Sequence, residues 1–338
     1  MQASRTFARR GLRLSCVLAL TLSVSACGKD EAPKDGAVDM GDDSDGSTPE
    51  SDAGSSASDA GNGDGAANGD GGSATPQSDA GTPPPPKCKR GLGYGYHSKA
   101  DMMALRRGVH WWYNWSPTPD TKVATSYKDL GVEFVPMAWD EKFTVAGLEK
   151  DIPQGAKTLL GFNEPNFFGQ ANLSASDAAK LWPDLEKVAK ARGLALASPA
   201  VNFCGPAEKC FETDPFKYLD AFFAACKNCK IDYVAAHWYA CDGPALTWYL
   251  GQLKKYKKPI WLTEFSCLDG DRSVANQKKY MTDALKILEA DTQVAAYAWF
   301  IGRSDDVPSI DLLGADGKLT ELGELYVSLP HHDPSCAR

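Results

Sequence analysis

Residues 158–166 read Thr-Leu-Leu-Gly-Phe-Asn-Glu-Pro-Asn, and residues 195–202 read Ala-Leu-Ala-Ser-Pro-Ala-Val-Asn. Each is a short apolar run bounded by turn residues, which predicts buried strands over 158–164 and 195–202. Between them, Ser174-Ala-Ser-Asp177 has the form of a capping box; it opens a helical stretch to Arg192, which Gly193 stops. Strand, helix, strand is the repeating unit of a parallel sheet. Outward from this unit the pattern recurs, with strands expected at 108–115, 133–139, 231–239, 259–266 and 294–301. Helical spacing marks 246–256 and 277–289, the latter with Tyr280, Ala284, Leu285 and Leu288 on one face. Seven strands are clear, and the eighth lies in 308–313 or is replaced by irregular chain. A domain of about 250 residues built this way predicts an α/β fold, a compact (β/α)8-type TIM barrel with one strand or helix reduced.

The chemistry-bearing residues fall at strand ends. The runs finish Trp111-Trp112-Tyr113-Asn114-Trp115, Ala138-Trp139-Asp140, Asn163-Glu164-Pro165-Asn166, Val201-Asn202, His237-Trp238-Tyr239, Thr263-Glu264-Phe265 and Trp299-Phe300. In a barrel these ends open on one face, where such folds place their sites. Trp111, Trp112, Trp115, Trp139, Trp238 and Trp299 are expected on that rim, stacking on the C–H faces of sugar rings, while Trp182, Trp248 and Trp261 read as core. Glu164 and Glu264 are the two glutamates that end apolar strands. Strand alternation puts Glu264 on one face with Leu262 and Ile260, the expected barrel interior. Asn163 and Glu164 are adjacent, so a bulge or strand end is needed for both to enter the site. Glycosidic cleavage needs one carboxyl group to protonate the leaving oxygen and a second to attack or to activate water.

Four segments in order, Gly108-Val-His-Trp-Trp-Tyr-Asn-Trp115, Leu160-Gly-Phe-Asn-Glu-Pro-Asn166, Ile231-Asp-Tyr-Val-Ala-Ala-His-Trp-Tyr239 and Trp261-Leu-Thr-Glu-Phe265, resemble glycoside hydrolase family 128. Asn-Glu-Pro alone recurs in many barrel glycosidases; the ordered set is much more specific. The resemblance covers residues 88–330. It implies a compact barrel and retaining hydrolysis of β-1,3-glucan without a cofactor. By it Glu164 matches the acid/base and Glu264 the nucleophile. Asn163 matches the amide that binds the sugar 2-hydroxyl, His237 and Tyr239 the residues that orient nucleophile or sugar, and Trp299 a platform beneath the ring. Asn202 joins the binding set from its strand end. Two neighbouring carboxylates do not both ionise cheaply, so Glu164 is expected to keep a proton and Glu264 to be charged. No second His or Asp stands at ligand spacing from His237, and no metal is expected. His331-His332, beside Cys336, reads as surface. The alternatives are a β-1,4-glucanase or mannanase on the same barrel, or a non-catalytic glucan-binding lipoprotein, which need not keep both glutamates.

The N-terminus carries Arg5, Arg9, Arg10 and Arg13 before an apolar run too short to span a bilayer, which reads as a signal peptide over 1–26. Val24-Ser-Ala-Cys27-Gly28 resembles a bacterial lipobox with Cys27 lipidated. Residues 28–86 hold no aromatic residue, Leu, Ile or Cys, and thirteen acidic residues against two lysines. Such a tract does not bury enough apolar surface to order itself. The expected organisation is therefore a leader, an acidic tether over 27–86 and a hydrolase domain over 87–338, anchored in the bacterial cell envelope by lipid alone. The chain's acidity belongs to the tether; the domain is near neutral, which argues against nucleic acid or any highly charged polymer as its partner. The resemblance implies β-glucan as the partner, and a monomer is expected. Eight cysteines remain in the domain. Their positions favour Cys88–Cys336, bracketing it, and the short loops Cys204–Cys210 and Cys226–Cys229, with Cys241–Cys267 by elimination. Cys226-Lys-Asn-Cys229 lacks the second pair that a zinc or redox motif would bring.

Overall fold

The computed structural model describes residues 84–205 and 208–338. The expected leader, Cys27 and all but the last three residues of the tether lie outside the described residues. Eight strands follow in chain order: β1 Arg90–Gly93, β2 Trp111–Tyr113, β3 Glu133–Phe134, β4 Thr158–Leu160, β5 Ala195–Ala197, β6 Val234–Ala240, β7 Ile260–Asp269 and β8 Val294–Phe300. All pair in parallel, in the order β3-β2-β1-β8-β7-β6 with β4-β5 beside them. Parallel bridges close the ring. Met137 faces Leu160 between the ends of β3 and β4, and Ala197 faces Tyr233 between β5 and β6. The Ala138 N–H donates to Leu160 O at 3.0 Å and the Ser198 N–H to Tyr233 O at 2.9 Å. Seven α-helices wrap this barrel: α1 Lys99–Leu105, α2 Val145–Asp151, α3 Ala175–Arg192, α4 Pro215–Ala225, α5 Gly243–Leu253, α6 Val274–Ala290 and α7 Glu321–Ser328.

The eighth strand is β1, at the start of the domain. Residues 308–313 instead hold a 3-10 turn, Pro308–Ile310. Arg-Gly-Leu-Gly gives no strand signal because glycine is depleted in strands. Here the glycines make room for the neighbouring strand: a Cβ on Gly91 would come within 2.2 Å of the Trp111 ring, and one on Gly93 within 3.1 Å of Tyr113. Helix α3 starts at the Ser174 cap, whose hydroxyl accepts the Asp177 N–H, and stops at Gly193 in the left-handed region.

Two apolar layers follow from strand alternation. One holds residues of the strands and of the chain adjoining them, with Trp111, Tyr113, Tyr233 and Trp261 set against Ala195, Ala197, Ala235, Ala296 and Ala298; it fills the barrel interior. The other mixes the alternate strand residues with helix residues such as Trp182, Leu219, Tyr249 and Leu285. Ile260 and Leu262 belong to this outer layer, contrary to the expected interior placement. A bulge reconciles this with Glu264: Ala236 pairs with Leu262 but His237 with Glu264, so Thr263 is skipped and the face of β7 flips. Bulges re-aim side chains in this way beside active sites. Trp248, expected in the core, is exposed on α5.

All four expected disulfides are formed: Cys88–Cys336, Cys204–Cys210, Cys226–Cys229 and Cys241–Cys267. His331, read as surface, has a buried side chain whose ring nitrogen lies 3.5 Å from Glu289.

Candidate active site

The ends of β2, β4, β6, β7 and β8 converge on two buried carboxylates. Beyond β4 the chain keeps its register by the Asn163 N–H to Trp139 O at 3.0 Å and the Glu164 N–H to Ala200 O at 2.8 Å. Glu164 then takes a φ of +40°, outside strand geometry, immediately before Pro165. That turn breaks the alternation that would send adjacent side chains to opposite faces, and supplies the strand end which the sequence required. Such a conformation is unfavourable for a residue with a Cβ, and the surrounding hydrogen bonds hold it.

Glu264 is held by three donors. The Tyr113 hydroxyl and the Trp115 indole N–H both donate to Oε1 at 2.8 Å, and the Tyr239 hydroxyl donates to Oε2. His237, fully buried, places Nδ1 at 2.8 Å from Glu164 Oε1 and 3.4 Å from Glu264 Oε2. One oxygen of each carboxylate and a ring nitrogen of His237 all lie within 4.8 Å of one another. Burial pushes the Glu264 carboxyl above its ordinary value; His237 opposes this, the charge of Glu164 adds to it, and the Tyr239 and Trp115 donors oppose it. For His237 burial works downward, but the charges of Glu264 and Glu164 and the Glu164 hydrogen bond win, and the imidazole is raised. Burial, then the charge of Glu264, lifts the Tyr113 and Tyr239 phenols well above their ordinary value, so both stay neutral donors.

Asn163 is buried beside Glu164; its amide donates to Gln170 Oε1 at 3.3 Å and its Oδ1 has no partner among the described residues. Asn202 is half-buried, with its side-chain oxygen accepting the Phe203 N–H at 2.9 Å. Tyr113 was not singled out from sequence, although it shares the inward parity of Trp111 and Trp115. Trp115 and Trp139 are half-buried at the mouth, but the other expected rim tryptophans are not there. Trp111 lies in the barrel interior, while Trp112, Trp238 and Trp299 point outward to the helices. The ring of Trp299 packs on Phe265, and its indole N–H donates to Ile310 O at 2.8 Å. Trp111, Trp112 and Trp299 therefore have no open face for a sugar. At the end of β8 the half-buried Phe300 occupies the mouth instead, with ring centres 5.6 Å from Tyr239 and 5.9 Å from Trp115. Its parity, shared with Ala296 and Ala298, is the signal that would have found it.

The Glu164–His237–Glu264 trio has the spacing of a cation site, but its donors do not fit one. Three donors already occupy most of the lone-pair sites of Glu264, two on Oε1 and one on Oε2, which makes it a poor ligand for an ion. The second such trio, Cys88, His110 and Cys336, is a disulfide beside a histidine whose two ring nitrogens are engaged by Cys336 O and Arg338.

Residues 91–326 match the family described as "Glycosyl hydrolase catalytic core". The crystal structure of a subgroup II family 128 endo-β-1,3-glucanase from Sorangium cellulosum is 52% identical, with a TM-score of 0.68 over 73% of this chain and 100% of that one. A second subgroup II endo-β-1,3-glucanase, from Pseudomonas viridiflava, is 39% identical, with a TM-score of 0.66 over 72% of this chain and 98% of that one. Alkali-sensitive linkage protein 1 of Schizosaccharomyces pombe is 30% identical over 253 residues, 71% of this chain; the chain spans 44% of that relative's length. With the barrel, the paired glutamates and a match over most of the domain, the chain belongs to glycoside hydrolase family 128.

Proposed function

We propose that this hydrolase cleaves internal β-1,3 linkages of glucan with retention, using Glu264 as nucleophile and Glu164 as acid/base. The closeness of the two carboxylates, one oxygen of each lying within 4.8 Å of the other and both contacting His237, supports the reading. Retaining glycosidases hold theirs about 5–5.5 Å apart, whereas an inverting enzyme needs about 6.5–9.5 Å to admit water. Tyr113, Trp115 and Tyr239 all donate to Glu264, and hydrogen bonds to a carboxylate favour its ionised form, as a nucleophile requires. The hydrogen bond of 2.8 Å between Glu164 and His237 suits Glu164 to the proton-transfer role. Asn163, with a free amide oxygen beside Glu164, suits the 2-hydroxyl of the sugar being cleaved, and Tyr239, Phe300, Trp115 and Trp139 suit its faces. The two endo-acting β-1,3-glucanase relatives support the linkage and the endo mode. Incubation with laminarin, curdlan, cellulose and mannan, followed by sizing of products, tests it. Cleavage of the β-1,3 polymers should exceed that of cellulose or mannan by about tenfold or more, a gap worth at least ~1.4 kcal/mol in transition-state binding. Comparable rates on a β-1,4 polymer would overturn the linkage assignment.

We also propose that Cys27 carries the lipid that holds the enzyme in the cell envelope, on the strength of the lipobox-like Val24-Ser-Ala-Cys27 and the acidic tract behind it. A single acyl chain binds only marginally, so stable anchoring takes the several chains of a bacterial lipoprotein. Cys27→Ser should move the protein from the membrane fraction to the soluble one with catalysis intact; a variant that still pellets after a salt wash would refute the anchor.

A further inference from the structure

Phe168 and Phe211 are large apolar side chains left at the surface, 45% and 48% exposed. Their rings meet edge-to-face at 4.6 Å. Two adjacent phenylalanines left in water forgo much of the stabilisation that burial gives such rings unless something else covers them. Their backbones are well fixed. Phe167 and Cys210 form an antiparallel bridge, the Phe168 N–H donates to Lys209 O at 2.9 Å and the Phe211 N–H to Asn166 O at 2.9 Å. The Cys204–Cys210 disulfide closes one side of this frame. Asn166, buried, donates from its amide to Asn202 O at 2.9 Å and Glu212 O at 3.2 Å, tying the segment after β4 to the segment after β5.

The position of this frame decides what covers it. Phe168 follows Glu164 by four residues, and the Phe167 N–H returns to Glu164 O at 3.0 Å. Across the frame, burial raises the Glu208 carboxyl, and the charge of Glu164 raises it further. In the mechanism above Glu164 delivers its proton to the leaving oxygen. The sugar next to that oxygen on the far side of the bond is therefore the leaving-group unit. The Phe168–Phe211 frame is hydrogen-bonded to Glu164 through Phe167, whereas the three donors that hold Glu264 come from other segments, Tyr113, Trp115 and Tyr239. A β-linked glucosyl ring, with equatorial hydroxyls and axial C–H bonds on both faces, is the chemistry an exposed phenylalanine recognises.

We propose that Phe168 and Phe211 form the platform for the glucosyl units on the leaving-group, reducing-end side of the scissile bond. The assignment rests on the β-1,3-glucanase reading and extends it to Phe168 and Phe211, which the sequence did not single out. The platform binds units that leave with the first displacement, so it selects for chains that extend past the cleavage point.

Paired substrates test this. Laminarihexaose places sugars on both sides of the bond, whereas an aryl β-laminaribioside has only its aryl group on the leaving side. Phe168→Ala combined with Phe211→Ala should lower kcat/KM on laminarihexaose by about tenfold, the effect of losing about 1.4 kcal/mol of stacking. The aryl substrate should lose less than about twofold, on the same conversion of free energy to rate. Phe168→Trp should restore most of the oligosaccharide rate, which a purely structural role in the frame would not predict. Equal losses on both substrates, or no loss on either, would overturn the platform while leaving the glucanase reading in place. Failure of the unmodified enzyme to cut laminarihexaose would instead overturn that reading, and the platform with it.

Discussion

Glu264→Ala is expected to abolish turnover of every β-1,3-glucan substrate, a loss on the order of 10⁴-fold or more, because the proposed double displacement forms no covalent glycosyl-enzyme without that carboxylate. Glu164→Ala should behave differently. Its loss should be severe on polysaccharide but small on aryl glycosides, whose leaving groups need little protonation. Azide separates the roles further. In the Glu164 variant it attacks the covalent intermediate and yields a β-glycosyl azide; in the Glu264 variant it enters the empty nucleophile site and yields the α-anomer. The unmodified enzyme should release the new reducing end as the β-anomer, seen by proton NMR in the first minutes. An initial α signal would mean inversion and would reassign both glutamates. The acidic side of the pH–rate profile bears on the same point. Burial lifts Glu264 above its ordinary value, so activity is lost as pH falls through that raised value, and the loss begins at a higher pH than for an exposed glutamate.

Both glutamates, His237 and Tyr239 were legible in the sequence because each ends a run whose apolar character already placed it at one rim of the barrel. Alternation explains what was misread. A Trp-Trp doublet such as Trp111-Trp112 splits between faces, so one ring enters the barrel and the other packs under the helices. The same rule sends Trp238 and Trp299 outward and brings Tyr113 and Phe300 inward. Where the rule itself fails, the cause is local and invisible to periodicity: a skipped residue at Thr263 re-aims Glu264, and a positive φ re-aims Glu164. Strand β1 was missed for a related reason. Its glycines answer to the rings of Trp111 and Tyr113 across the sheet rather than to any local propensity.

Replacing Cys88 and Cys336 with serine should cost about 5 kcal/mol, because the bridge spans 248 residues and the loss of loop-closure entropy grows with the logarithm of loop length. Removing Cys226–Cys229, with a separation of three, should cost only about 1.5–2 kcal/mol on the same basis. The contacts around the long bridge assign its effect to the unfolded chain. Arg90, two residues past Cys88, is fully buried and donates to Tyr326 O at 2.6 Å, Leu329 O at 2.9 Å and Pro330 O at 2.7 Å, with an ion pair to Glu289 at 3.1 Å. At the other end His110 Nε2 lies 2.8 Å from Cys336 O, and the Arg338 guanidinium donates to Gly131 O at 2.7 Å. These bonds keep the C-terminal tail docked beneath the barrel without the sulfurs. The native geometry should therefore survive, and kcat, set at the opposite end of the strands, should change little while the denaturation midpoint falls steeply. Guanidinium unfolding of both double-serine variants beside the unmodified domain measures the difference. A Cys88/Cys336 variant within about 1 kcal/mol of the parent would place the stabilisation in the tail's hydrogen bonds instead of in the closed loop.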